Sequence, residues 1–288
     1  MIVLVNGRPV DESAAVIRVS DRGFLFGDAI FESMRAWGGT VFRLGRHLDR
    51  LERSAALVEF AGLPARAEIA AEVGEVLAAN GLADARLRLT ISRGAGRPGD
   101  YIGVEGPPTR VLSATPFAGL EQAIVEAGVR VAISSRRALP AECLDPAVKS
   151  TSRIISVLAR REAQKRGAYE ALLLDAGGGL TEGTASNVFV VETGVVHTPS
   201  ADGGALPGVT RAAVIEAAAE AGLAVVEGPL PVQRLGRATE VFLTNTSWEV
   251  LAVVEVDGRP IGSGRPGPVA RDLRARYRAM VRRECGGA

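Results

Sequence analysis

The feature that most constrains the fold is a strand, a two-residue turn and a second strand, which recurs three times. "IVLVNGRPV" (2–10) turns at Asn6-Gly7, "IFESMRAWGGTVFRL" (30–44) at Gly38-Gly39, and "EVFLTNTSWEVLAVVEVDGRPI" (240–261) at Asp257-Gly258. These residue pairs supply the positive φ that a tight hairpin demands, so each commits its flanks to antiparallel pairing. "ARLRLTISRG", "TRVLSATPF", "VRVAISS", "YEALLLD" and "NVFVVETGVVHT" add further strands. Apolar spacing predicts helices between them. One runs from Leu44 to about Gly62, with Leu48, Leu51, Ala55 and Val58 on its apolar face, and one covers 66–80 before Gly81. Others run from Arg153 to Lys165, from "GVTR" to Gly222, and from Pro268 to about Arg283. The glycine-rich "AGGGLTEGTAS" reads as turn and loop.

A chain of 288 residues carries a prior of about two domains. Pro116 and Gly119 interrupt strand periodicity in "TPFAGLEQA" (115–123), a plausible connector. The expected division is an α+β domain over 1–117 and a second domain over 118–288. Hydrophobic residues at 47% and charged residues at 23% suit a globular chain with a sizeable core. A net charge of +1 leaves no dominant pull towards nucleic acid. The start, "MIVLVNGRPV", lacks a basic n-region and a long apolar run, so a cytoplasmic protein is expected. Cys143 and Cys285 are too few for a disulfide framework, and His47 and His197 lie in no Cys/His cluster that would hold zinc.

Charge chemistry singles out one position. Two of the 34 basic residues are lysines, Lys149 and Lys165, so 32 are arginine. Arginine stays protonated, whereas lysine can lose its proton and attack a carbonyl. Lys165 sits in the charged helix end "RREAQKRG", where cations suit the helix dipole. Lys149 follows Pro140 and Pro146 in an irregular stretch, so its context must decide.

Other motifs are weaker alone. "GAGRPG" (94–99) matches a dinucleotide fingerprint, but Pro98 and "GDYIGVEGPP" supply no helix to face a pyrophosphate. In "GVTR" (208–211), Thr210 can cap a helix beginning near Arg211, and such a start can cradle a phosphate. "TNTS" (244–247) ends a strand in hydroxyls. Glu182 lies in the loop "LTEGTASN" and Arg50 in "RHLDRLERS"; each taken alone reads as a surface charge.

Together these blocks have a known match. From "VNGRPV" and "SDRGFLFGDAIFESMRAWGGTVFRLGRHLDRL" through "KSTSR", "LTEGTASNVFVV" and "LPGVTR" to "EVFLTNTSWEVLAVVEVDGRPI", the chain resembles the fold-type IV pyridoxal-phosphate enzymes, the class IV aminotransferase family. That family includes branched-chain aminotransferase, D-amino-acid aminotransferase and aminodeoxychorismate lyase. The resemblance implies a two-domain α+β / α/β fold: a small N-terminal α+β domain and a larger mixed β-barrel-like domain with helices. It implies pyridoxal 5′-phosphate as cofactor, an amino donor and a 2-keto acid as small-molecule partners, and a homodimer. Lys149 would hold the cofactor covalently and act as the catalytic base. Glu182 would keep the pyridine nitrogen protonated, and Arg50 would bind the phosphate. The amides of Val209 and Thr210, with Thr246 and Ser247, would complete the phosphate cup.

The same resemblance leaves the substrate open. Branched-chain enzymes carry a Tyr-x-Arg pair whose positions align with Ala85 and Leu87, and often a tyrosine where this chain has Ile154. "ISRGAGRPGDY" and "KSTSR" lean towards the lyase and the D-amino-acid enzymes. A carboxylate substrate wants an arginine. Arg35, Arg93, Arg97 and Arg153 are the candidates, with Arg97 preferred, and Phe31 is the expected pocket wall. The expectation is an aminotransferase favouring D-amino acids. The alternatives are aminodeoxychorismate lyase, a branched-chain L-amino-acid aminotransferase and a catalytically silent relative.

Overall fold

The structure, a computed structural model, describes residues 1–97 and 99–286. Pro98, invoked above against a helix in "GAGRPG", lies outside them. The chain forms two compact units. One comprises Met1–Ala118, Val148–Ser152 and Val281–Ala288; the other comprises Gly119–Ala147 and Arg153–Met280. The sequence division at 117/118 did not anticipate that residues 148–152, with Lys149 among them, group with the first unit.

In the first unit the strands are β1 (Ile2–Val5), β2 (Arg8–Asp11), β3 (Ala29–Trp37), β4 (Thr40–Val41), β5 (Ala85–Ser92) and β6 (Thr109–Pro116). The helices are α1 (Arg22–Phe26), α2 (Leu44–Leu57) and α3 (Arg66–Ala79). The strands form one antiparallel sheet in the order β2-β1-β6-β5-β3-β4. Asn6 and Gly7 both take positive φ, as do Gly38 and Gly39, so the two hairpins form where the turn pairs demand them. Along β3 and β5, Ile30, Glu32, Met34 and Ala36 oppose Ile91, Leu89, Leu87 and Ala85 on one buried face. Phe31, Ser33 and Arg35 oppose Thr90, Arg88 and Arg86 on the other. α2 is shorter than the pattern predicts, because Glu59 takes φ +50° and turns the chain out of the helix.

In the second unit the helices are α4 (Gln122–Ala127), which the sequence reading missed, α5 (Ile154–Lys165), α6 (Val209–Glu220) and α7 (Pro268–Cys285, whose last residues group with the first unit). The strands are β7 (Val129–Arg137), β8 (Glu170–Leu174), β9 (Gly179–Gly183), β10 (Asn187–Glu192), β11 (Val195–Thr198), β12 (Val225–Glu227), β13 (Leu230–Pro231), β14 (Glu240–Asn245), β15 (Glu249–Val256) and β16 (Arg259–Pro260). They make one mixed sheet, ordered β12-β11-β10-β14-β15-β7-β8-β9-β13, with β16 on β15. The pairs β11–β12, β15–β7 and β7–β8 are parallel, and the rest are antiparallel. α5 lies between the parallel neighbours β7 and β8 in sequence and buries Ala159 and Ala163 with Ala132, Ala171 and Leu173. The larger core gathers Leu172, Val188, Val190, Val241, Leu243, Leu251 and Val253.

Two local readings change. Glu182 is on a strand, not in a loop: the glycine-rich segment pairs with β8 through Leu174↔Leu180 and Leu172↔Gly183. Thr210 does not cap α6. Gly208 occupies the cap without a side-chain hydrogen bond, and Thr210 is buried inside the first turn. Among the described residues, no helix is long and apolar enough to cross a membrane.

Candidate active site

Lys149 is held by its backbone in the first unit. Its N–H donates to Ser54 Oγ on α2 (3.1 Å), and its carbonyl accepts from Phe31 N–H on β3 (2.9 Å). Ser150 bridges Ile30, and Thr151 N–H donates to the Ala29 carbonyl. The segment is thus an added edge along the start of β3, which fixes the backbone of the lysine. Nζ lies 4.6 Å from the centroid of the Phe31 ring. The guanidinium carbon of Arg88 lies 3.9 Å from the same centroid. Two cations therefore share one aromatic ring, a setting suited to a substrate with an apolar body and a negative charge.

Behind this face is a buried polar cluster that the sequence reading missed apart from Arg50. Glu32 Oε2 takes hydrogen bonds from His47 Nδ1 (2.7 Å) and Arg50 Nη2 (2.6 Å), and Oε1 takes one from Arg50 Nε (2.8 Å). Glu32 is fully buried. Burial alone would raise its pKa, but the Arg50 charge and hydrogen bonds, with those of His47, outweigh burial and hold it at about 2. His47 is pushed below its ordinary value by burial, with Arg50 and Lys149 adding to the effect against the pull of Glu32. It is therefore neutral at pH 7 and donates its Nδ1 proton to Glu32. The signal was present in the sequence: Glu32 falls on the apolar parity of β3, between Ile30 and Met34.

In the second unit, three segments are tied together. Glu182 Oε2 accepts the Leu206 N–H (2.9 Å), and Asn187 Nδ2 donates to the Leu206 carbonyl (2.8 Å). One residue is thus pinned at both polar groups, three positions before α6 begins. A Cβ on Gly208 would stand 2.1 Å from Asn187 Oδ1, so only glycine permits this approach. Val209 and Thr210 open α6 with no side-chain cap ahead of them. Thr246 and Ser247 sit in the turn between β14 and β15, where Asn245 Oδ1 accepts from the N–H groups of Ser247 (2.9 Å) and Trp248 (2.7 Å). Asn245 Nδ2 donates to the Ala185 carbonyl (3.0 Å), joining this turn to the segment after Glu182. The Thr244 hydroxyl beside it is buried and has no hydrogen-bond partner among the described residues.

The arginines expected to read a carboxylate are placed as follows. Arg97 is 77% exposed and paired with Glu105 (2.6 Å). Arg93 is held by Asp28 and the carbonyls of Val58 and Glu59. Arg35 is buried with its guanidinium 3.4 Å from the Trp37 ring centroid. Arg153 donates to the Thr184 carbonyl. Ala85 and Leu87, aligned above with the Tyr-x-Arg pair, are fully buried on the core face. Strand alternation puts Arg86 and Arg88 on the face shared with Phe31. Arg88 was not among the arginines named from the sequence.

Residues 29–256 match the family model for amino-transferase class IV. A putative branched-chain-amino-acid aminotransferase of Methanocaldococcus jannaschii is 40% identical over 278 residues, 96% of each chain. A D-alanine aminotransferase of Listeria monocytogenes is 30% identical over 291 residues, covering 99% of this chain and 98% of its own. The branched-chain amino acid aminotransferase of Thermobaculum terrenum, solved in its pyridoxal-phosphate form, superposes with a TM-score of 0.87 at 27% identity, covering 97% of this chain and 93% of that one. With one family model spanning most of the chain and relatives aligned along nearly all of it, the protein belongs to the class IV aminotransferases.

Proposed function

We propose that this aminotransferase moves amino groups between a branched-chain L-amino acid and a 2-keto acid, with pyridoxal 5′-phosphate as cofactor and Arg88 reading a substrate carboxylate. The observation that carries the reading is the Arg88–Phe31–Lys149 cluster, an apolar ring with one cation for charge and one amine for chemistry. The 40% identity with the branched-chain relative supports the donor class. Similarity to the D-alanine aminotransferase supports a second reading, the D-amino-acid donor expected from sequence.

The donor set fits the cofactor. Within the second unit, the uncapped start of α6 at Val209 and Thr210 and the hydroxyls of Thr246 and Ser247 suit a phosphate monoester. When bound, pyridoxal phosphate supplies an electron sink for the charge left as an α-proton departs. Lys149 holds the cofactor through Nζ. Released from it, the Nζ amine would take the proton from the substrate α-carbon and hand it on. Glu182 keeps the pyridine nitrogen protonated. Val209, Thr210, Thr246 and Ser247 of the second unit would hold the phosphate end still, and Arg50 of the first unit is the cation the resemblance assigns to it. A first amine leaves as keto acid before a second enters, so kinetics are ping-pong.

The reading also includes a second copy of the chain. Val19, Phe24, Tyr101 and Ile102 of the first unit are 81, 73, 74 and 87% exposed, and large apolar side chains so exposed support a homodimer.

The test is a half-reaction. The cofactor-saturated protein is mixed with L-leucine, L-glutamate and D-alanine in turn, and loss of the cofactor's yellow band is followed. Loss with L-leucine supports the proposal; loss with D-alanine alone replaces it by the second reading. Pyruvate release from aminodeoxychorismate would establish the lyase, and a protein that never takes up the cofactor would be a silent relative. Replacing Arg88 by Leu should lower kcat/KM about 10- to 150-fold, the loss of one charge-assisted hydrogen bond. An unchanged value refutes the role of Arg88.

A further inference from the structure

The turn that carries Thr246 and Ser247 closes on an anomalous residue. β14 and β15 pair up to Asn245↔Glu249, and Glu249 takes φ +62°. The last residue of such a turn needs the left-handed region, which glycine enters freely and a residue with a side chain does not. Here a glutamate occupies it and is fully buried. A buried carboxylate on strained backbone persists only when its surroundings hold it there.

α7 supplies that hold. Arg274 Nη2 meets Glu249 Oε2 at 2.9 Å, and Arg278 Nε meets the same oxygen at 2.7 Å. Arg274 Nη1 also donates to the Trp248 carbonyl (2.7 Å) and the Val250 carbonyl (2.6 Å). One guanidinium therefore grips the carbonyls of the residues on either side of Glu249 and also meets its side chain. Arg274 is 8% exposed, and its helix buries Ala270, Leu273 and Tyr277 around it. From the other side, Asn245 Oδ1 takes the Ser247 and Trp248 amides. Thr246 and Ser247 are thus set between an asparagine at the start of the turn and an arginine clamp at its end.

We infer that Arg274 is a positioning residue for cofactor binding: by neutralising Glu249 and clamping its left-handed backbone, it sets the turn that presents Thr246 and Ser247 to the cofactor phosphate. This rests on the reading that these two residues bind that phosphate. Arg274 acts through the turn and touches no reacting atom.

The experiment compares two ligands of the full chain stripped of cofactor: pyridoxal phosphate and pyridoxal, which lacks the phosphate. The readout is the ratio of their dissociation constants, by fluorescence titration. Arg274→Met should weaken pyridoxal phosphate about tenfold, the effect of one well-oriented hydrogen bond lost, and leave pyridoxal unchanged. Adding Glu249→Gly to that variant should restore the ratio to within about threefold, because glycine enters the left-handed region freely and leaves no buried carboxylate. Where Arg274→Met does not fold, Arg274→Lys decides, since lysine keeps the charge but cannot grip two carbonyls and a carboxylate together. A merely structural arginine would weaken both ligands alike. Thr246→Val separates the two layers of the reading. If it raises the ratio of the pyridoxal phosphate constant to the pyridoxal constant and the Arg274 variants do not, the positioning role is wrong and the phosphate site stands. If it leaves the ratio unchanged, the phosphate site is wrong and the inference falls with it.

Discussion

Replacing Glu32 by Gln should destabilise the first unit in a way that depends on pH. The Glu32 carboxylate is fully buried and takes hydrogen bonds of 2.6, 2.7 and 2.8 Å from Arg50 and His47. Its pKa is held at about 2 against an ordinary glutamate value of 4.5. At 1.36 kcal/mol per tenfold change in proton affinity, that gap contributes about 3 kcal/mol to folding. A glutamine keeps an acceptor oxygen but leaves the Arg50 charge buried without its counter-ion, and losses on breaking such a pair run at about 3–5 kcal/mol. Because the folded pKa is the lower one, the contribution is complete above pH 4.5 and fades as pH falls towards 2. The variant should therefore lose about 3 kcal/mol at pH 7 and only about 1 kcal/mol at pH 3. Urea unfolding followed by tryptophan fluorescence measures this. A Trp248→Phe background leaves Trp37, on the same strand as Glu32, as the reporter. A loss under about 1 kcal/mol at pH 7, or equal losses at both pH values, would refute the reasoning.

Three further outcomes are expected. Lys149→Ala should lower turnover by about 10⁴-fold or more while unfolding at the same urea concentration; substantial turnover in a stopped assay would remove Lys149 from the chemistry. Glu182→Gln should slow proton transfer on the order of 100-fold yet leave cofactor affinity near its starting value, since the amide oxygen still accepts from Leu206 N–H. A variant with normal kcat would show that its charge is not needed. Phe24→Asp should halve the mass seen by light scattering if a second copy covers the exposed face of the first unit. A native protein already at 30.0 kDa would end the homodimer reading.

The three hairpins, most helices and the singular lysine were legible in the sequence because each rests on near neighbours: a turn pair, a periodicity, a residue type that is rare here. Glu182 was identified but misplaced in a loop, since glycines hide a strand whose pairing partner, β8, lies elsewhere in the chain. Arg88 was not among the arginines considered, because only cross-strand pairing and burial show which face of β5 it shares with Phe31. Arg97 looked the most available arginine and is an exposed partner of Glu105.

What the sequence by itself determined is most of the elements and the family. Tertiary structure decided which charges are buried together. Glu32 meets Arg50 across 18 positions, Asn187 meets Leu206 across 19, and Arg274 meets the Trp248 carbonyl across 26. Each pairing joins separate elements, and no local pattern encodes it. It exists because packing removes these groups from water, and a charge or amide taken from water is stable only where the fold supplies its partner.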